Sequence, residues 1–188
     1  RAMLPAFLLA TILAALSVAP VALGHGNPGA QRALPEGPLF LVPHDLGELA
    51  ADGFVPIHDY GTETLAVIPD PEALDVALRG RLTAVGATTV MSYRSWRGSV
   101  ERVPGAADAS LPTGYYLLSL VGRLEDAWRR ELSDLGVQIV ETAAPHGLVV
   151  HADGAQLVEA TRSLVTSHGY PVVCGVAPVP DETRLHRV

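Results

Sequence analysis

The sequence predicts an α+β protein made of two tandem βαββαβ units. Three observations lead there: an internal repeat, helical and strand periodicities that alternate in a fixed order, and turn signals between them. Displaced by 83 residues, positions 49–90 lie on 132–173 without a gap, and eleven of the 42 pairs are identical, among them Leu49/Leu132, Gly53/Gly136, Leu65/Leu148, Val67/Val150, Asp70/Asp153, Arg79/Arg162 and Val90/Val173. Ordinary composition would give about three such matches. A repeat of this length is the signature of a duplicated folding unit.

The second copy is the easier to read. Residues 115–121 (YYLLSLV) are aromatic and aliphatic and predict a strand. Leu124, Ala127, Trp128, Leu132 and Leu135 then recur at helical spacing, with Glu125, Asp126, Arg129, Arg130 and Glu131 mostly on the other side, and Gly136 sits where a helix stops. Residues 137–142 predict a strand, Pro145 and Gly147 a turn, and residues 148–151 a third strand. Asp153 is placed to cap a helix over 154–165, and residues 171–176 supply the last strand. The first copy follows with strands at 39–42, 55–60, 64–68 and 87–93, and helices near 45–51 and 71–82, the latter opened by Asp70-Pro71. The expected architecture is two ferredoxin-like βαββαβ domains, each a four-stranded antiparallel sheet with two helices on one face. The first helix of the first copy is short, so that copy is expected to fold less well or to lean on its neighbour.

The corresponding organisation is a leader at 1–24, a flexible lead-in at 25–38, a first repeat at 39–97, a linker at 98–113 (GSVERVPGAADASLPT), a second repeat at 114–180 and a tail at 181–188. The leader is apolar from Ala2 to Leu23 except for Thr11 and Ser17. Ala22 and Gly24 stand at the −3 and −1 positions before His25. This reads as a secretory signal peptide, hence a secreted or extracellular protein. An uncleaved membrane anchor is the alternative, and Pro5, Pro20 and the small residues at the end of the run favour cleavage. The membrane is therefore a partner only through an uncleaved leader.

Net charge is −7, and all 13 basic residues are arginine. An acidic excess without basic clusters argues against a nucleic-acid partner. Cys174 is the only cysteine, which excludes an internal disulfide, and its apolar surroundings read as those of an inert buried thiol. The histidines at 25, 44, 58, 146, 151, 168 and 186 form no metal-ligand spacing, and no phosphate-binding glycine loop occurs. No catalytic residue, cofactor or metal ligand is assigned. Trp128 reads as core. Trp96 with Tyr93 is placed to dock the first copy on the second.

The second copy, over about 114–187, resembles the N-terminal prodomain of secreted subtilisin-like serine proteases, the group related to inhibitor-type propeptides. The residues that carry the resemblance are the opening YYLLSLV strand, a helix containing Trp128, the L-x-x-L-G-V run of Leu132, Leu135, Gly136 and Val137, and the P-x-x-h-h-V-x-A-D segment from Pro145 to Asp153. Gly175, Val176 and Pro178 come close to the closing pattern of such prodomains, in a different order. The resemblance implies an intramolecular chaperone and inhibitor whose partner is a subtilisin-like protease domain, in cis or in trans. It implies that the C-terminal tail lies in the substrate cleft as an added β-strand, and Val179, Arg184, Leu185, His186, Arg187 and Val188 are the partner-binding candidates. The protease is not in this chain, because the D-[ST]-G, H-G-T and G-T-S contexts of its catalytic residues are missing. The resemblance implies either a fragment of a serine-type endopeptidase precursor or a free-standing propeptide-like protein. Two alternatives stand beside this reading: an extracellular protein-binding module with no protease, and an ACT-like tandem that binds a small molecule between its copies.

Overall fold

A computed structural model describes residues 31–46, 53–86, 90–93, 96–100 and 109–179. The leader, the first lead-in residues and positions 181–188 therefore lie outside the described residues. So do positions 101–108 of the expected linker. Among the described residues no helix is long and apolar enough to cross a membrane.

The N-terminal half contributes β1 (Leu39–Pro43), β2 (Val55–Asp59), β3 (Glu63–Val67) and β4 (Thr83–Val85), all antiparallel, in the order β2-β3-β1-β4. The C-terminal half runs β7 (Gly114–Leu120), α2 (Asp126–Asp134), β8 (Gln138–Ala143), β9 (Gly147–Ala152), α3 (Gly154–Ser163) and β10 (Val173–Pro178). Its sheet has the order β10-β7-β9-β8. Between the halves, β5 (Val90–Tyr93) and β6 (Trp96–Ser99) form a two-stranded sheet of their own.

The expectation of two ferredoxin-like domains, each with two helices on one face, is therefore corrected. Among the described residues there are three sheets, of four, two and four strands, and α2 and α3 are the only helices longer than one turn. The physical reason begins at two aspartates. Asp70 Oδ1 accepts from Ala73 N–H at 3.2 Å and Asp75 Oδ1 accepts from Ala77 N–H at 2.8 Å. Each caps its own short turn, and Leu74 between them is extended, with ψ 147°. The expected helix over 71–82 thus breaks into a 3-10 turn (Pro71–Ala73) and α1 (Val76–Arg79), a single helical turn. At the start of the other expected helix, the described residues form a 3-10 turn (His44–Leu46), and positions 47–52 lie outside them.

Two such turns cannot cover a four-stranded sheet, and the N-terminal half solves this by sharing a core. Alternation along its strands sends Leu39, Leu41, Val55, Ile57, Leu65 and Val67 to one face. These pack into the same apolar cluster as Leu118, Leu148, Val150, Trp128, Leu132 and Leu157 of the C-terminal half. Ile57 and Leu65 are completely buried; burial of each such side chain is worth about 2 kcal/mol. The opposite face holds a small cluster of Val42, Leu46 and Ala66, with Phe54, Leu78 and Leu82 packed against it.

The β5–β6 hairpin departs further from expectation. The strand expected over 87–93 was to complete the first sheet, and β4 holds that place instead. Gly98 and Ser99, assigned above to the linker, are part of β6. Met91, Tyr93 and Val100 pack with Leu117, Ala143, Val149 and Val179 in a cluster separate from the shared core. Leu117 and Val149 alternate with the shared-core residues Leu118 and Val150, so the hairpin lies on the sheet face opposite the shared core. Tyr93 thus docks on the second copy as the sequence suggests.

Candidate functional site

Of the six tail residues, Val179 is described. Its N–H donates to Tyr115 O at 3.0 Å and extends the β10–β7 ladder by one residue beyond Pro178↔Tyr116. Its side chain is buried with Leu117 and Val149. Arg184, Leu185, His186, Arg187 and Val188 lie outside the described residues. Strand β10 is an edge of its sheet. Up to Val179 the chain is therefore extended along a sheet edge, a geometry on which a further strand can pair.

The principal polar centre lies at the junction of the halves, and sequence reasoning missed it. Strand β2 carries a bulge between Pro56 and His58. His58 enters the interface almost fully buried, at 6% exposure. Its Nδ1 accepts from Ser167 N–H at 3.1 Å. The ring proton of the neutral imidazole therefore sits on Nε2, which lies 3.1 Å from Glu125 Oε2 without hydrogen-bond alignment. The ring is held between Tyr60 and Trp128, with both centroids 4.7 Å away. Arg123 places its guanidinium 4.2 Å above the Tyr60 ring and pairs with Glu63 at 2.8 Å. Burial, reinforced by the nearby Glu125 carboxylate, pushes the Tyr60 phenol up to about 12.

Serine, histidine and a carboxylate meet here, so catalysis has to be weighed. In a hydrolytic triad the serine Oγ gives its proton to an imidazole nitrogen. Here that nitrogen is occupied by the main-chain N–H of Ser167, while Ser167 Oγ accepts from Asp59 N–H at 3.0 Å. The arrangement locks β2 to the loop before β10. It is a joint, not a proton relay. No local pattern announces it, because His58 and Ser167 are 109 positions apart.

The other singled-out residues find structural places. Asp70 and Asp153 both cap helical turns, and Asp153 forms a full capping box with Gln156, with both bonds at 2.9 Å. The matched arginines diverge. Arg79 pairs with Glu72 and donates to Leu74 O, whereas the main chain of Arg162 accepts from Gln31 Nε2 at 2.8 Å. His44 lies 3.3 Å from Asp59 and 3.1 Å from Thr64 Oγ1, and the His151 ring meets Tyr115 at a tilt, with centroids 5.0 Å apart. Burial lowers the pKa of His146. Among the described residues no three His, Cys, Asp or Glu side chains are grouped to hold a metal ion. Cys174 is buried, and Trp128 is core. The side chain of Trp96 lies outside the described residues.

Comparisons with protein-family models, with curated proteins and with solved structures find no match for this chain.

Proposed function

We propose that this chain is a non-catalytic protein-binding module: the propeptide-like region of a secreted subtilisin-like serine protease, acting as chaperone and inhibitor of a protease domain outside the chain. The observation that carries this reading is the exit of the chain from β10. Val179 is bonded along the edge of the sheet, directly after the extended strand β10. A strand presented this way suits addition to the extended-substrate groove of a protease. The resemblance of the motifs between Tyr115 and Asp153 to such prodomains is what supports a protease as the partner class. The polar junction at His58 is a joint within the fold, whose imidazole acceptor is already used by the Ser167 N–H.

Binding of this kind stabilises the folded protease over its unfolded chain by mass action. Calorimetric titration into a subtilisin-like protease inactivated at its nucleophilic serine tests the reading without digestion. The expected result is a one-to-one complex with a Kd of about 1 μM or tighter. Absence of a complex at about 100 μM overturns it.

A further inference from the structure

Val179 is the last described residue, and it is buried more deeply than the two before it. Ala177 is partly buried and Pro178 is exposed, whereas Val179 is 5% exposed. Alternation accounts for the direction of its side chain. Ala177 stands opposite Leu117, and Val179 belongs with Leu117 and Val149 to the sheet face away from the shared core. Position alone does not account for its burial, because a side chain at the end of an edge strand has sheet neighbours on one side only. Its main chain is held as well. Pro178 has no N–H to donate, so the last rung of the ladder among the described residues is Val179 N–H to Tyr115 O, at 3.0 Å.

The β5–β6 hairpin lies over this face. Met91, Tyr93 and Val100 are almost fully buried, and they form one cluster with Val179, Leu117, Ala143 and Val149. Ser92 and Ala144 exchange main-chain hydrogen bonds of 2.8 and 3.1 Å, which fix the hairpin to the end of β8. A segment that precedes the C-terminal half in the chain thus helps to seat the residue to which positions 180–188 are joined.

We propose that the β5–β6 hairpin is a positioning element for the C-terminal tail. Met91 and Val100 seat Val179, and the seat sets how tightly residues 180–188 bind in a partner's substrate groove. The hairpin acts through Val179 and needs no contact with the partner. This rests on the proposed function, which supplies the protease groove; the seating of Val179 does not. The physical link is entropy. A tail joined to a fixed residue has fewer arrangements to lose on binding than a tail joined to a frayed strand end, and the difference appears as affinity. The segment between the halves thereby has a task in inhibition, although the residues that would enter the groove are C-terminal.

Val100→Ala tests this in a two-by-two comparison. Parent and variant are each made as the full chain and as the chain ending at Val179, and inhibition of a mature subtilisin-like protease is measured where urea unfolding shows all four chains folded. Removal of residues 180–188 is expected to weaken inhibition at least ~3-fold less in Val100→Ala than in the parent, with the two shortened chains alike. A merely structural effect of the substitution would weaken full and shortened chains equally. A difference below ~3-fold overturns the proposal. If Val100→Ala does not fold, amide exchange of the unmodified protein decides. Val179 N–H and the hairpin's Ser92 N–H are expected to exchange within ~10-fold of each other at every sub-denaturing urea concentration, because they open as one unit. A gap of more than ~10-fold in either direction overturns the seating of Val179 on the hairpin. Inhibition by none of the four chains overturns the proposed function instead, and the exchange rates alone then support or overturn the seat.

Discussion

Single residues account for much of the local structure, and their effects can be measured one at a time. Asp153 closes a capping box at the start of α3, and Asp153→Ala is expected to cost about 1 kcal/mol, seen as a lower urea midpoint with unchanged slope. Tyr60 predicts an alkaline limb. Its phenol is raised from 10.0 to about 12, so the folded state disfavours the phenolate. This contribution to stability is complete below the unfolded value and is lost as pH rises from about 10 to about 12. The loss is about 2 kcal/mol at most, since the ring is half-buried. Melting of Tyr60→Phe across that range is expected to show a flatter decline than the parent. His146 acts at the other end: its lowered pKa makes stability fall as pH drops below its ordinary value of 6.5. These caps and turns were legible in the sequence, because each interaction spans two or three residues.

At the scale of elements, legibility follows the range of the forces. Helix α2 lies within the span marked by the spacing of Leu124, Trp128, Leu132 and Leu135, and β7 to β10 lie where β-branched and aromatic runs place them. Helix α1 is one turn, although Asp70-Pro71 is a sound start signal, because Asp75 offers a second cap that competes with continuation. The β5–β6 hairpin was not legible, since it packs against residues far away in the chain, Leu117, Ala143, Val149 and Val179, with Met91 against Gly147. A Cβ on Gly147 would run into Met91 Cε and come within 3.1 Å of Leu118 O. Gly147→Ala is therefore expected to destabilise by roughly 1–3 kcal/mol, as overpacked sites do, and to cost less in a Met91→Ala background. Equal costs in both backgrounds, measured by urea unfolding, would place the hairpin elsewhere.

For the whole molecule, the two copies behave as one body because a sheet without its own helices must bury its apolar face elsewhere. The internal repeat was visible; the shared core was not, because it depends on which face of each sheet finds a partner. The junction tests this directly. A Cβ on Gly122 would collide with Tyr60 Oη and lie 3.1 Å from Leu65 Cδ2. Gly122→Ala is expected to cost about 2 kcal/mol by separating the halves, and Tyr60→Phe in the same chain is expected to recover part of it. Urea midpoints for the four chains give the coupling.

Inhibition kinetics of a mature subtilisin-like protease test the functional claim most directly. Hydrolysis of a peptide substrate is followed as the chain is titrated in, once with all residues and once ending at Val179. The account predicts competitive inhibition at about 1 μM or below for the full chain, weakened at least tenfold when residues 180–188 are removed. Unchanged turnover with both chains at about 100 μM would contradict it.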